Sequence, residues 1–227
     1  MRVKIHHEGR GILIAGFFIL AAINLPLWLC LHHYLVTIPI VITSVSVVFY
    51  LLLVNFYRSP HRKFTGNQHH AVVASADGKI VALEKVYEKE YLKSEVLQLS
   101  IFMSPTNVHA NWFPVNGKVK YVAHQSGRFQ AAYLPKSSTE NERSTIVIET
   151  EGGQLVMVRQ IAGAMARRIV TYAQAGDDAC IEDQLGFIKF GSRVDIFLPL
   201  STEIFVKLGD KTVGGISLVG RLHPESK

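Results

Sequence analysis

Two cysteines in 227 residues leave no basis for a disulfide framework or a cysteine-ligated metal site, because Cys30 lies in an apolar stretch and Cys180 far away in a charged one. That usage suits a reducing compartment. No phosphate loop of the form G-x-x-x-x-G-K, no dinucleotide fingerprint, no H-E-x-x-H pair and no G-x-S-x-G elbow occurs, which removes the commonest nucleotide-binding, zinc-protease and serine-hydrolase readings. The ten histidines include the neighbours His6-His7, His32-His33 and His69-His70. Adjacent side chains on an extended chain point to opposite faces, so these pairs are read as exposed histidines and no metal site is expected. The net charge is +6, yet the basic residues are interleaved with acidic ones, as in Glu84-Lys85 and Glu88-Lys89-Glu90. There is no zinc-finger spacing, RRM signature or basic helix with interleaved aromatics, so nucleic acid is not an expected partner. A membrane surface suits the excess charge better.

Charge itself is missing from residues 11–57, which hold no Asp, Glu, Lys or Arg. Two apolar runs, 11–31 and 35–56, flank His32-His33-Tyr34. Each has about the twenty residues that a helix needs to cross a bilayer core. A cleaved signal peptide has an apolar core of only about 7–15 residues and no second run behind it. The stretch is therefore read as a helical hairpin, transmembrane or membrane-embedded, retained over residues 1–57. Arg2, Lys4 and Arg10 precede it, Arg58, Arg62 and Lys63 follow it, and the link has neither Lys nor Arg. The positive-inside rule then puts both ends in the cytoplasm. The alternative is a re-entrant hairpin, suggested by Pro39 shortening the second run.

Residues 58–70 read as a linker, and 71–227 as a globular domain. Short β-rich runs recur there at 79–86, 96–103, 118–123, 145–149, 155–161, 193–198 and 203–206. They are separated by Asp77-Gly78, Asn116-Gly117, Gly152-Gly153, Gly209-Asp210 and Gly214-Gly215. Many short strands at such spacing predict a mainly β domain, a sandwich or a barrel-sandwich-like hybrid. No long amphipathic helical pattern appears, and 162–172 fits a short helix or a strand. By themselves Asp77 reads as a hairpin turn, His109 as a satisfied histidine at a strand end, and Gly191-Ser192 as an uninformative pair.

In order along the chain, however, several runs resemble the phosphatidylserine decarboxylase family, most closely its shorter bacterial branch. They are Phe56-Tyr57-Arg58 with Pro60, Ser75-Ala76-Asp77-Gly78, Phe102-Met103-Ser104-Pro105 with Asn107-Val108-His109, Asn141-Glu142-Arg143, the run 160–170, and Phe190-Gly191-Ser192-Arg193-Val194-Asp195. The resemblance implies a proenzyme that cuts itself between Gly191 and Ser192 into a large N-terminal and a small C-terminal chain. Ser192 becomes a pyruvoyl group, the cofactor, whose ketone forms an imine with the substrate amine. This supplies the electron sink that decarboxylation needs. His109 is implied as the base for self-cleavage and the acid that reprotonates the product, with Asp77 orienting or charging it as in a Ser-His-Asp set. Where longer members have a second histidine this chain has Trp112, and where many have an acidic residue it has Asn107.

The resemblance further implies phosphatidylserine as substrate, phosphatidylethanolamine and CO2 as products, and a bacterial inner membrane with the catalytic domain on its cytoplasmic face. The partners it implies are the bilayer and the protein's own second fragment, a higher oligomer being left open. Arg159, Arg167, Arg168 and Arg193 are available to hold the lipid phosphate, and the sequence does not choose among them. The competing readings are a non-enzymatic, membrane-anchored β scaffold and the same chemistry on another serine lipid.

Overall fold

The computed structural model describes residues 4–31, 33, 35–127, 141–163, 168–189 and 192–223. They form two compact units, 1–61 and 62–227. In the first, strand β1 (Lys4–Ile5) pairs with β2 (Arg58–Ser59), and helices α1 (His7–Leu31) and α2 (Thr37–Phe56) run between them. Both helices are long and apolar enough to cross a membrane. Twenty residues at about 1.5 Å each match a hydrocarbon core of about 30 Å. Pro39 falls in the first turn of α2, where a missing N–H breaks no helical bond, so it leaves the helix uninterrupted. The few polar groups of the hairpin satisfy one another: Thr43 donates to Asn24 Oδ1 at 2.8 Å, Trp28 Nε1 donates to Thr43 at 2.9 Å, and Asn24 Nδ2 donates to Ser46 at 3.0 Å. Such pairing is what apolar surroundings demand.

The second unit is mainly β. Its strands are β3 (Ala71–Val73), β4 (Gly78–Glu88), β5 (Ser94–Met103), β6 (Ala110–Trp112), β7 (Gly117–Gln125), β8 (Arg143–Glu149) and β9 (Leu155–Ala162). They continue with β10 (Arg168–Thr171), β11 (Asp178–Ala179), β12 (Gln184–Lys189), β13 (Ser192–Leu198), β14 (Glu203–Ile204), β15 (Lys211–Thr212) and β16 (Leu218–Arg221). Eight form one antiparallel sheet in the order β11-β7-β8-β9-β13-β5-β4-β15, and two three-stranded sheets, β10-β12-β6 and β14-β16-β3, complete the unit. Six of the seven expected β runs are strands, and of the seventh, 203–206, only Glu203–Ile204 is. The described end of the ambiguous 162–172 stretch, Arg168–Thr171, is strand as well.

Strand β13 lies between β9 and β5. Alternate residues face opposite ways, so Val194, Ile196 and Leu198 enter the main core with Leu99, Ile101, Met103, Val156 and Val158. Phe197 enters a second cluster with Val96, Val147 and Met157. The face toward the main core is apolar along the central strands, and the opposite face mixes the Phe197 cluster with buried polar groups such as Arg193 and Asp195.

Two expectations need correcting. Residues 62–70 are not a free linker: they belong to the second unit, where Phe64 is buried with Ala71, Val73 and Ile181. Asp77-Gly78 is not a hairpin turn, because the strand before it pairs with β16 and the strand after it with β5. The pair instead starts a long strand from a buried bend.

Candidate active site

Ser192 opens β13 with Met103 of β5 on one side and Ala162 of β9 on the other. By strand alternation its side chain faces the main core. It is fully buried, and its Oγ donates at 3.2 Å to the thioether of Met103. Sulfur is a weak acceptor, so no strong bond holds this hydroxyl among the described residues. Phe190 and Gly191, with the bond expected to be cut, lie outside the described residues, as does Arg167. Ser192 therefore stands where the chain passes from β12, in one sheet, into β13, in another.

His109 is fully buried just before β6. Its carbonyl accepts the Ile188 N–H of β12 at 3.1 Å, which ties it to the strand that leads into Ser192. Its Nδ1 lies 3.0 Å from the Asn107 carbonyl. A carbonyl only accepts, so the neutral ring carries its proton on Nδ1 and its lone pair on Nε2. Asn107 makes this possible by folding the loop: its Oδ1 accepts from Ser104 N at 2.8 Å and from Ser104 Oγ at 2.7 Å. Both are acceptor roles, which a carboxylate at this position can fill equally.

Asp77 does not orient His109. Its carboxylate takes a two-pronged bond from Arg62, at 2.5 and 2.8 Å, and a third from Gly214 N at 2.9 Å. Arg62 also donates to the Gly214 carbonyl at 2.7 Å and lies 4.3 Å over the Trp112 ring. The imidazole is set by the Asn107 carbonyl, and the aspartate by an arginine. Arg62, read from sequence as a membrane-flanking charge, is a buried partner of Asp77. The signal that could have found it is that a buried Asp needs a cation. Trp112 packs against Arg62 on one side and Gly214-Gly215 on another. A Cβ at Gly214 would meet the indole at 2.7 Å, so only glycine admits this approach.

A chain of buried amides and hydroxyls, missed from sequence, continues from Ser192. The Met103 sulfur that receives Ser192 also faces Asn111 Nδ2 at 3.6 Å. Asn111 Oδ1 accepts from Gln160 Nε2 at 2.8 Å. Thr171 donates to Gln160 Oε1 at 3.0 Å, and the same Thr171 hydroxyl reaches Ser144 at 2.7 Å. Gly186 makes room for it: a Cβ there would meet Gln160 Nε2 at 2.6 Å. Asn111 and Gln160 carry no local signal of their pairing in the sequence, and only the crossing of β6, β9 and β10 brings them together.

The arginines considered for the lipid phosphate stand elsewhere. Arg159 and Arg193 project from the face of the sheet opposite Ser192. Arg159 bonds Glu88 at 3.0 Å and Glu90 at 2.8 Å, and Arg193 bonds Asp195 at 2.6 Å and Ser100 at 2.7 Å. Their cleft, about 580 Å3, is lined also by Gln98 and Phe197. Burial pushes the Glu88 carboxyl up, but three backbone N–H groups and Arg159 outweigh it and hold the group below the usual carboxylate range. These guanidiniums are already neutralised. Arg168 is exposed at the start of β10.

The family model for phosphatidylserine decarboxylase matches residues 49–220. A relative in Parabacteroides distasonis, named phosphatidylserine decarboxylase proenzyme, is 53% identical over 220 residues, 97% of this chain and 99% of its own. Relatives of the same name in Bacteroides fragilis and Amoebophilus asiaticus are 54% and 42% identical. These cover 97% and 99% of this chain, and 96% and 99% of their own.

Proposed function

The chain belongs to the phosphatidylserine decarboxylase family, and from that premise we propose that it decarboxylates phosphatidylserine to phosphatidylethanolamine through a pyruvoyl group made from its own Ser192. Membership in a family of decarboxylases sets aside the non-enzymatic scaffold. The observation that carries the reading is the buried Ser192 hydroxyl, which among the described residues donates to a thioether at the junction of two sheets.

In self-cleavage His109 Nε2 takes the Ser192 proton, and Oγ attacks the Gly191 carbonyl. The peptide C–N bond breaks as an ester forms. Loss of the Ser192 α-proton expels the Gly191 carboxylate and leaves dehydroalanine. One water then releases ammonia and leaves the pyruvoyl cap on the fragment 192–227, which stays paired with 1–191. The residues around Ser192 fit such a group: the strand start is fully buried, away from bulk water, and the Met103 sulfur beside it also meets the Asn111 amide. When formed, it supplies an electrophilic ketone that takes up the electrons left as CO2 departs. His109, fixed on Asn107, delivers a proton to the substrate α-carbon. Asp77, paired with Arg62, acts at a distance from the imidazole by holding the Gly214 loop beside Trp112.

The hairpin over 1–57 anchors the enzyme, and the Lys and Arg at its flanks favour the cytoplasmic face of a bacterial inner membrane. The lipid stays in that membrane. Withdrawing two acyl chains of roughly sixteen carbons costs on the order of 20 kcal/mol at about 0.8 kcal/mol per methylene.

Intact-mass measurement on purified protein tests the reading. It predicts two species parting before Ser192, the smaller one with a blocked N-terminus and a mass lower by the amine lost. Ser192→Ala is expected to remain one inactive chain. A single full-length wild-type species with an unmodified serine, or turnover by the alanine variant, overturns it.

A further inference from the structure

Large apolar side chains exposed in the second unit are not spread evenly. Leu200, Phe205, Leu208, Val213 and Ile216 fall within seventeen residues of the C-terminal segment, against Val81, Tyr87 and Tyr121 for the rest of the described unit. Leu208 is 60% exposed and Phe205 46%, although Val206 between them packs on the main core. Exposed Lys207 and Lys211 lie in the same segment. It forms the sheet edge through β15, which pairs Lys211 with the exposed Lys79. Of the segment's two carboxylates, exposed Glu203 lies 3.6 Å from His223, and Asp210 is turned back onto the Lys207 N–H at 3.0 Å. The segment thus presents apolar tips among three ammonium groups.

Its root lies at the candidate site. Thr212 Oγ1 donates to the Ala76 carbonyl at 3.0 Å, Gly214 N bonds Asp77, and Gly215 N bonds the Ala74 carbonyl at 2.9 Å. The outer ends of this loop, Val213 and Ile216, are exposed while its glycines rest on Trp112.

We infer that residues 205–216 are a membrane-contact surface, inserting Phe205, Leu208, Val213 and Ile216 into an anionic bilayer with Lys79, Lys207 and Lys211 on its headgroups. The partner is set by chemistry on both sides. Apolar tips ringed by lysines match hydrocarbon beneath an anionic headgroup layer. The same chain carries two apolar helices of membrane-spanning length, so a bilayer is always within its reach. A lipid that cannot leave the bilayer has to be met there by a serine with no exposure of its own. This last point rests on the proposed decarboxylation, whereas the contact itself does not.

The test uses the full chain reconstituted in phosphatidylcholine–phosphatidylglycerol vesicles with brominated acyl chains. Phe205→Trp and Ile216→Trp each add a reporter, and the wild type supplies the baseline from Trp28 and Trp112. The added emission is expected to be quenched by bromine, less so without phosphatidylglycerol. Leu208→Asp with Ile216→Asp is expected to lower turnover of long-chain phosphatidylserine in vesicles about tenfold. Turnover of dissolved short-chain substrate and the cut at Ser192 are expected to stay unchanged. Reporters quenched by aqueous iodide and not by bromine overturn the inference, as do reporters shielded from both, which would place the segment against a second copy. Absent decarboxylation with bromine quenching intact would sink the activity and leave the contact standing.

Discussion

The central sheet carries buried polar groups on both faces, and the two faces differ in how completely those groups are satisfied. On one face Arg159 and Arg193 meet Glu88, Glu90 and Asp195 with short charge-assisted bonds. On the other, one residue away along the same strand, Ser192 finds a sulfur for its proton among the described residues. Burying a charge is costly unless it is paired, and that face is built so that every guanidinium is paired. A buried hydroxyl with a poor acceptor is unusual, and on the proposed mechanism it is the attacking group. If that mechanism holds, the neighbours Ser192 and Arg193 serve chemistry and structure respectively.

The largest effect is expected from removing the proposed base, His109. His109→Ala is expected to slow self-cleavage by about 10²–10⁴-fold, the usual scale of general-base assistance, while the melting temperature of the uncut chain changes little. Timed gels of fresh protein give the rate, and cutting at the wild-type rate would place the base elsewhere. On the saturated face the expected damage is to stability. Arg159→Met leaves Glu88 without its cation and is expected to cost about 3 kcal/mol, read as a lower denaturation midpoint, with cleavage at Ser192 undiminished in the folded fraction. Lost cleavage in folded protein would show the two faces to be coupled. The smallest effect is acid sensitivity. The Glu88 carboxyl titrates below its ordinary value in the folded chain, so its contribution is present above the unfolded value and is lost as pH falls through the folded one. Urea midpoints measured down an acid series are expected to fall less steeply in Glu88→Gln than in the wild type.

How far each face is legible in the sequence depends on the range of its signals. Six of the seven expected β runs are strands in full because alternation is local and survives in any tertiary setting. β12 escapes notice because Gly186 interrupts an apolar run, and that glycine makes sense only once Gln160 is seen packed against it. β3, β6 and β16 are three or four residues long and exist through partners far along the chain. Asp77 is legible as a candidate, but its neighbour is not: the bond to Arg62 crosses fifteen residues, into a stretch that reads as a linker. Trp112 is legible only as a departure from longer relatives, and folded it is the plate on which Arg62 and two glycines rest.

By itself the sequence determined the apolar hairpin, the β character of the domain after it, and a family order of motifs ending at Gly191-Ser192. All of these are local or collinear properties of the chain. Only the tertiary structure decided that Ser192 faces a thioether, that the Asn107 carbonyl sets His109, and that Arg159 and Arg193 stand on the opposite face. Those choices depend on which strands lie side by side and which way each residue alternates, and residues tens of positions apart settle both.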